Sequence, residues 1–325
     1  FNKLSDVPQS PKTRYKIIVY HLKAKYSMAY LRYFSDIDDG TLSDIYFFYG
    51  IAIHHTDLVS SLLILEKGKD RSNDLEKYNT YLPQNNEIPK LIHFIYFKHK
   101  DFQKHFYTCI KSASNHMKNY QIIIHNDEEP IENEWWEMVK ILNNVSIKHY
   151  PRPLHFDGFN IHHVQYAADI ARLFILFQYG GIYLDTDMLI LKDFSEIISN
   201  THHIYFSTES GAKDYINSIL ISTPGNMFLI HMLHTFKTYL RITDCWATHI
   251  REGVNMLITH ENTSKYKIKV LDHTLFFNFR WLDYSKFANI EDNITPDMFG
   301  VHLFDTIHFD SLRDNQYLHA ICDSN

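Results

Sequence analysis

An α/β fold is predicted by three features of this 325-residue chain. Short β-rich apolar runs alternate with helical stretches between Leu91 and His125, the pattern of parallel strands joined by helices. A helical stripe from Val164 to Tyr179 stops at Gly180-Gly181, and an apolar strand restarts at once. The ten glycines and nine prolines are too few for a fibrous or linker-rich chain, so the length can go into a sizeable core.

Residues 1–85 read as a mostly helical N-terminal extension, with Leu58, Leu62, Leu63 and Leu65 at helical spacing. Pro83-Gln84-Asn85-Asn86 is a turn cluster and marks the boundary with a second domain, 86–325. Leu91–Phe97 (LIHFIYF) is a buried strand, Phe102–Met117 a helix, and Gln121–His125 a second strand ending in Asn126-Asp127. Ligands of such sheets collect at the carboxyl ends of the strands. In the helix Val164–Tyr179, Ile170, Leu173, Phe174 and Phe177 form the apolar stripe, and Asp169 and Arg172 are i,i+3 neighbours. Ile182-Tyr183-Leu184 then starts a strand closed by Met188–Leu191, in which period-two alternation puts Asp185 and Asp187 on one side.

The net charge of −6 is unevenly spread. Lys3, Lys12, Arg14, Lys16, Lys23, Lys25 and Arg32 face only Asp6 within residues 1–34, which leaves the remainder acidic. An acidic body excludes nucleic acid as the expected partner. The basic start is either a solvated helix face or a peripheral contact with an anionic membrane surface. No apolar run approaches the roughly 18 residues of a spanning helix. Cys109, Cys245 and Cys322 are widely spaced and form no disulfide framework or metal spacing, and the three N-x-S/T sequons at Asn144, Asn262 and Asn293 leave the compartment open. The chain starts at Phe1. The expected location is the Golgi or ER lumen if a trimmed membrane anchor preceded it, and the cytoplasm otherwise.

Two carboxylates at i and i+2 can share a hard cation, and Mg²⁺ or Mn²⁺ keeps positions open for substrate phosphates. The spacing alone is cheap: Asp36-Ile37-Asp38 repeats it beside Asp39-Gly40, where it reads as a turn or helix start. Context separates the copies. The run Ala168-Asp169, Arg172, Gly180-Gly181-Ile182-Tyr183-Leu184-Asp185-Thr186-Asp187-Met188 resembles the DXD-containing retaining glycosyltransferases, the group of the yeast initiating α-1,6-mannosyltransferase, the globotriaosyl α-1,4-galactosyltransferase and the clostridial glucosylating toxins. Ile88-Pro89-Lys90-Leu91-Ile92-His93-Phe94-Ile95-Tyr96 is similar to that family's opening strand, with Tyr96 where Trp is usual. Val301-His302-Leu303-Phe304 is similar to its late segment, although Ile307-His308 replaces the usual Ser-Trp. The likeness is strong over about residues 88–195 and thin to about 305.

The resemblance implies a GT-A type nucleotide-sugar-binding fold, a Rossmann-like mixed sheet flanked by helices. It implies a Mn²⁺ (or Mg²⁺) cofactor held by Asp185, Asp187 and His302, with Asp187 a direct ligand and Asp185 also meeting the ribose. Asp169 and Arg172 would hold sugar hydroxyls, and together with Asp185 and Asp187 they form the catalytic set. His93, Phe94, Tyr96, Tyr183, Asn217 and His302 would complete the donor site. Glu209 is a further acid nearby in the pattern, and His308 a weaker candidate. Read from the residues alone, Tyr96 is equally a core aromatic, Asn217 a turn or cap residue, and Asp169–Arg172 a surface ion pair. The implied partners are a sugar nucleotide, with UDP-hexose favoured over GDP-mannose, and a glycan, glycolipid or protein acceptor. The competing classes are a non-catalytic sugar-nucleotide or glycan-binding module and a metal-dependent phosphoesterase, which needs further metal ligands.

Overall fold

The alternation of strands and helices is present in the computed structural model, which describes residues 87–98, 101–156, 159–209, 215–242, 248–258, 260–278, 283–288 and 290–305. The expected helical extension, the basic segment 1–34, the Asp36/Asp38 pair, Cys245, Cys322 and His308 lie outside the described residues. Apart from His155–Phe159, the described residues belong to the unit formed by Asn79–Leu154 and Asn160–Asn325.

In chain order the elements are β1 (Leu91–Tyr96), α1 (Lys104–His116), β2 (Gln121–Asn126), α2 (Glu134–Lys140), β3 (Val145–His149), the short β4 (His155–Phe156) and β5 (Phe159–Asn160), α3 (Val164–Tyr179), β6 (Gly181–Leu184), β7 (Met188–Ile190), β8 (Ile204–Thr208), β9 (Tyr215–Ser222), α4 (Met227–Ile242), α5 (Thr248–Leu257), α6 (His260–Lys265), β10 (Ile268–Leu271), α7 (Tyr284–Ala288) and β11 (Gly300–His302). Seven strands form one sheet in the order β3-β2-β1-β6-β9-β8-β10. β1 is parallel to β2 and β6, β2 to β3, and β8 to β10, while β9 runs antiparallel to β6 and β8. This is the expected Rossmann-like mixed sheet with flanking helices. β7 and β11 pair antiparallel in a ribbon of their own, with His302 opposite Met188.

The strand order decides where a ligand can sit. From β1 the chain adds β2 and β3 on one side, then returns to add β6 on the other. A crevice opens at such a switch point beyond the carboxyl ends of the strands. Asp185 and Asp187 follow β6 at that end.

Alternation along β1 and β6 assigns their two faces. Ile92, Phe94 and Tyr96 join Ile182 and Leu184 in the core beneath α1 and α2, with Phe106, Ile110 and Trp136. His93 points the other way, toward Gly180, and Tyr183 toward Arg172 of α3. Helix α3 is buried over most of its circumference. Each buried Ile, Leu or Phe there contributes about 1.5–3 kcal/mol, far above the few tenths of an exposed i,i+3 pair. Packing therefore fixes this helix, and Asp169 and Arg172 are carried inward with it.

Gly180 ends α3 with φ +64, and its N–H donates to the Leu176 carbonyl. Gly181 follows at φ +99, and a Cβ there would lie 2.6 Å from the Leu91 carbonyl oxygen. The Gly-Gly pair thus lets the chain leave the helix in the left-handed region and enter the sheet against β1. Gly181→Ala is expected to destabilise the protein by at least about 1–3 kcal/mol of backbone strain, with the steric push on β1 added. Urea unfolding measures it, and an unchanged midpoint would contradict the close approach.

Candidate functional site

The two carboxylates do not share one strand. β6 ends at Leu184, and Asp185-Thr186-Asp187 forms a turn before β7. The Met188 N–H donates to the Asp185 carbonyl at 3.0 Å, closing that turn. The expectation of period-two alternation is corrected here: a turn brings the side chains together, because β7 leaves the main sheet to pair with β11. Leu303 N–H donates to the Asp187 carbonyl at 3.0 Å, so the two strands of the ribbon are tied at the site itself.

His302, the last residue of β11, enters from more than a hundred residues downstream. Its Nε2 lies 3.2 Å from Asp187 Oδ1 and 3.9 Å from Asp185 Oδ2. Among the described residues, Asp185, Asp187 and His302 are the one group of three acidic, His or Cys side chains whose ligand atoms converge, all within 4.8 Å. Two carboxylate oxygens and an imidazole nitrogen fit a divalent ion such as Mn²⁺. Burial works against charge on Asp187, yet His302, the Asp305 N–H and His105 outweigh it and hold its carboxyl far below the usual range. Burial with the neighbouring Asp187 raises Asp185, against the pull of Arg172, His302 and the Tyr183 hydroxyl. For His302 burial lowers the pKa, but Asp187, Asp185 and Glu209 together lift it above the ordinary value.

Arg172 lies under this cluster. Its Nη2 is 3.0 Å from Asp169 Oδ1 and its Nη1 is 3.2 Å from Asp185 Oδ1, with side-chain exposures of 6% for Arg172 and 7% for Asp169. The surface ion pair is thereby excluded. Nη1 also donates to the Asn217 carbonyl at 2.6 Å, and the Asn217 amide donates to Asp169 Oδ1 at 2.6 Å. The guanidinium sits 4.4 Å from the Tyr183 ring centre, while the Tyr183 hydroxyl donates to Asp185 Oδ1. Asn217 is placed by an irregularity in β9: Phe206 pairs with Leu220, but Ser207 pairs with Ile216. The residues between bulge toward the site, and Ser218 accepts the Asp185 N–H at 2.8 Å. Asn217 is thus neither a simple turn nor a cap residue.

The structure brings together Asp169, Arg172, Tyr183, Asp185, Asp187, Asn217 and His302. His93, Phe94 and Tyr96 lie elsewhere. His93 is fully buried and both ring nitrogens are engaged, with Gly180 O at 3.0 Å and His125 at 3.1 Å. Burial draws its imidazole down to about 4, so it is neutral and braces the helix stop. Phe94 is fully buried. Tyr96 is 3% exposed, with its ring against Phe102 and Trp136, and its surroundings are those of a core aromatic. Glu209 stands near enough to act on His302 electrostatically.

Two groups at this end of the sheet carry no motif. Asp305 donates its main-chain N–H to Asp187 Oδ2 at 2.9 Å and meets His105 with its carboxylate. Asp127, just past β2, accepts from Lys98 N–H at 2.8 Å and from Arg152 Nε at 2.7 Å, which clamps the segments after β1, β2 and β3. The only sequence signal for either was a carboxylate following a strand.

Residues 103–204 match the family described as glycosyltransferase sugar-binding region containing DXD motif. That stretch contains α3 and the Asp185–Asp187 turn, and it is similar to the family that the sequence resembles. It is 24% identical over 220 residues to glucan organizing enzyme 1 of Cryptococcus neoformans var. grubii, covering 60% of this chain and 55% of that protein. It is 26% identical over 159 residues to inositol phosphoceramide mannosyltransferase 1 of Schizosaccharomyces pombe, covering 47% of this chain and 44% of that one. The chain thus spans about half the length of the curated relatives it matches. The crystal structure of the glycosyltransferase GlyE of Streptococcus pneumoniae TIGR4 superposes at a TM-score of 0.49 and 14% identity, over 74% of this chain and 61% of that one.

Arg172→Met would leave the Asp169 carboxylate buried without its counter-charge, and the expected loss is about 3–5 kcal/mol in urea unfolding. A loss under about 1 kcal/mol would show that the pair behaves as an exposed one. For His302 the sign follows from its raised value. In metal-free protein its contribution is full below the unfolded value of about 6.5 and is lost as pH rises through the folded one. The stability gap between wild type and His302→Asn is expected to be widest near about pH 6 and to narrow toward about pH 9. A gap that stays flat across that range contradicts the Asp187–His302 contact.

Proposed function

We propose that this chain is a divalent-metal-dependent glycosyltransferase that moves a hexose from a sugar nucleotide to an acceptor hydroxyl with retention of anomeric configuration. The observation that carries this reading is the Asp185–Asp187–His302 cluster standing against the buried Asp169–Arg172–Asn217 network, at the switch point of the sheet. Asp185, Asp187 and His302 would hold the ion, which when bound neutralises charge on a leaving diphosphate. His302 must give up its proton to serve as a ligand.

The chain's own groups supply the rest. Arg172 fixes Asp185 and Asp169 at once, so the acceptor atoms that would meet sugar hydroxyls stand at set positions before substrate arrives. Asp185 has a main-chain and a side-chain anchor, in Ser218 and Tyr183, and cannot swing away when the donor leaves. The departing phosphate can accept the proton of the attacking hydroxyl, and no side chain is nominated as the base. The donor is a nucleotide-activated hexose. The family resemblance favours UDP-hexose, while the relative named as an inositol phosphoceramide mannosyltransferase supports, as the second reading, transfer of mannose, with GDP-mannose as donor, to a glycolipid acceptor.

A panel of UDP- and GDP-hexoses with and without Mn²⁺ tests the proposal by donor hydrolysis and transfer. At least one donor is expected to turn over with the metal, and Asp187→Ala to lower that rate by about a hundredfold or more, as the loss of several kcal/mol of charge stabilisation requires. Equal rates in Asp187→Ala would sink the metal assignment. Donor binding without turnover across the panel would move the chain to the binding-module class, and cleavage of simple phosphoesters to the phosphoesterase class.

A further inference from the structure

Helix α1 is not part of the β7–β11 ribbon, yet it reaches both of its strands' segments. His105, in its first turn, is 3% exposed, and its Nε2 lies 2.5 Å from Asp305 Oδ1. Asp305 is itself buried, three residues past the ligand His302, and its main-chain N–H donates to Asp187 Oδ2 at 2.9 Å. Two turns along the same helix, Ser112 Oγ accepts the Ile190 N–H at 2.9 Å and donates to the Cys109 carbonyl. One helix therefore grips the segment after β11 at one point and β7 at another.

We propose that His105 and Asp305 are a positioning pair for the acidic site, holding the segment after His302 where the Asp305 N–H can orient Asp187. Two observations bear on what such a pair must overcome. Phe304, between His302 and Asp305, has φ +50, a left-handed conformation that a non-glycine residue keeps only when its surroundings enforce it. Burial foremost, and then Asp187 and Asp305, push the Cys109 thiol up, so both carboxylates act on the same buried neighbourhood. Like charges so placed repel, and a buried carboxylate needs a donor. His105 Nε2 is the polar group placed against the Asp305 carboxylate.

The consequence is directional. With Oδ2 taken by the Asp305 N–H, Asp187 presents Oδ1, the oxygen 3.2 Å from His302 Nε2, to the cation position. Loss of either partner frees the 303–305 segment, lets Asp187 rotate, and shifts His302 with it. Outer contacts of this kind set metal affinity by roughly ten- to a hundredfold.

The proposal rests on the metal reading above, and Mn²⁺ titration followed by electron spin resonance tests the two separately. On the full chain, His105→Ala and Asp305→Ala, which keeps the main-chain N–H, are each expected to weaken Mn²⁺ binding roughly ten- to a hundredfold. The double variant is expected to be no weaker than the weaker single one, since both changes break one contact. His105→Gln, which restores a donor, is expected to recover part of the affinity. With a turned-over donor, the variants should need more Mn²⁺ for half-maximal rate while keeping most of kcat at saturation. If His105→Ala does not fold, Asp305→Ala and His105→Gln carry the test. Wild-type affinity in a folded Asp305→Ala, or losses that multiply in the double variant, would overturn the proposal. Absence of Mn²⁺ binding by the wild type would instead remove the metal reading on which it stands.

Discussion

The buried guanidinium of Arg172 is the interaction on which the site depends. One side chain meets Asp169 on its own helix, Asp185 beyond β6, the Asn217 carbonyl on β9 and the face of Tyr183. Three segments, α3, β6 with the turn after it, and β9, are thereby held at a common point. Burial would lower the pKa of an isolated guanidinium, but the surrounding Asp185, Tyr183, Asp169 and Asp187 raise it instead, so it stays charged. Two further carboxylates can then be tolerated in a poorly solvated place, because the positive charge offsets their mutual repulsion.

A second constraint sits at the exit of α3. The helix must end where its last turn touches β1, and no Cβ fits at Gly180 or Gly181. His93 seals that corner from the sheet side by bonding to Gly180 O. The site is therefore assembled in two layers: backbone geometry delivers Asp185 to the carboxyl end of the sheet, and charge then arranges the side chains. Asp187 depends on a different set of contacts, namely His302, the Asp305 N–H and the ribbon of β7 with β11. The two carboxylates of the pair thus answer to different parts of the chain, which is what lets them converge on one position from opposite sides.

Much of this was legible along the chain because it is local. Helix α3, its stop, β1 and β2 follow from hydrophobic periodicity and from the Gly-Gly signal, and each was placed to within a residue or two. The Asp185–Asp187 spacing is visible in the sequence, but the apolar residues around it imply alternation in a strand, which is not the geometry found. Asp185-Thr186-Asp187 is a weak turn signal, with Asp but no Gly or Pro, and apolar β-rich residues on both sides mask it. Pairing of β7 with β11, a strand over a hundred residues away, imposes it. Tyr96 illustrates the reverse limit: a strand residue at a binding-end position looks the same in sequence whether it faces a ligand or Trp136.

By itself the sequence determined the helix that carries Asp169 and Arg172, the glycine break after it, and the order of strands and helices over 91–125, because these rest on contacts a few residues apart. It also carried the chemistry of the acidic triplet, through residue types alone. The tertiary structure alone decided that Asp169–Arg172 is buried, that Asn217 joins it through a bulge, and that His302, His105 and Asp305 surround Asp187. Those arrangements are contacts between segments 48 to 200 residues apart. Only the closing of the sheet and its ribbon sets which distant carboxylate, imidazole or amide shares a place with low solvent access, and in such a place unpaired charge is too costly to leave alone.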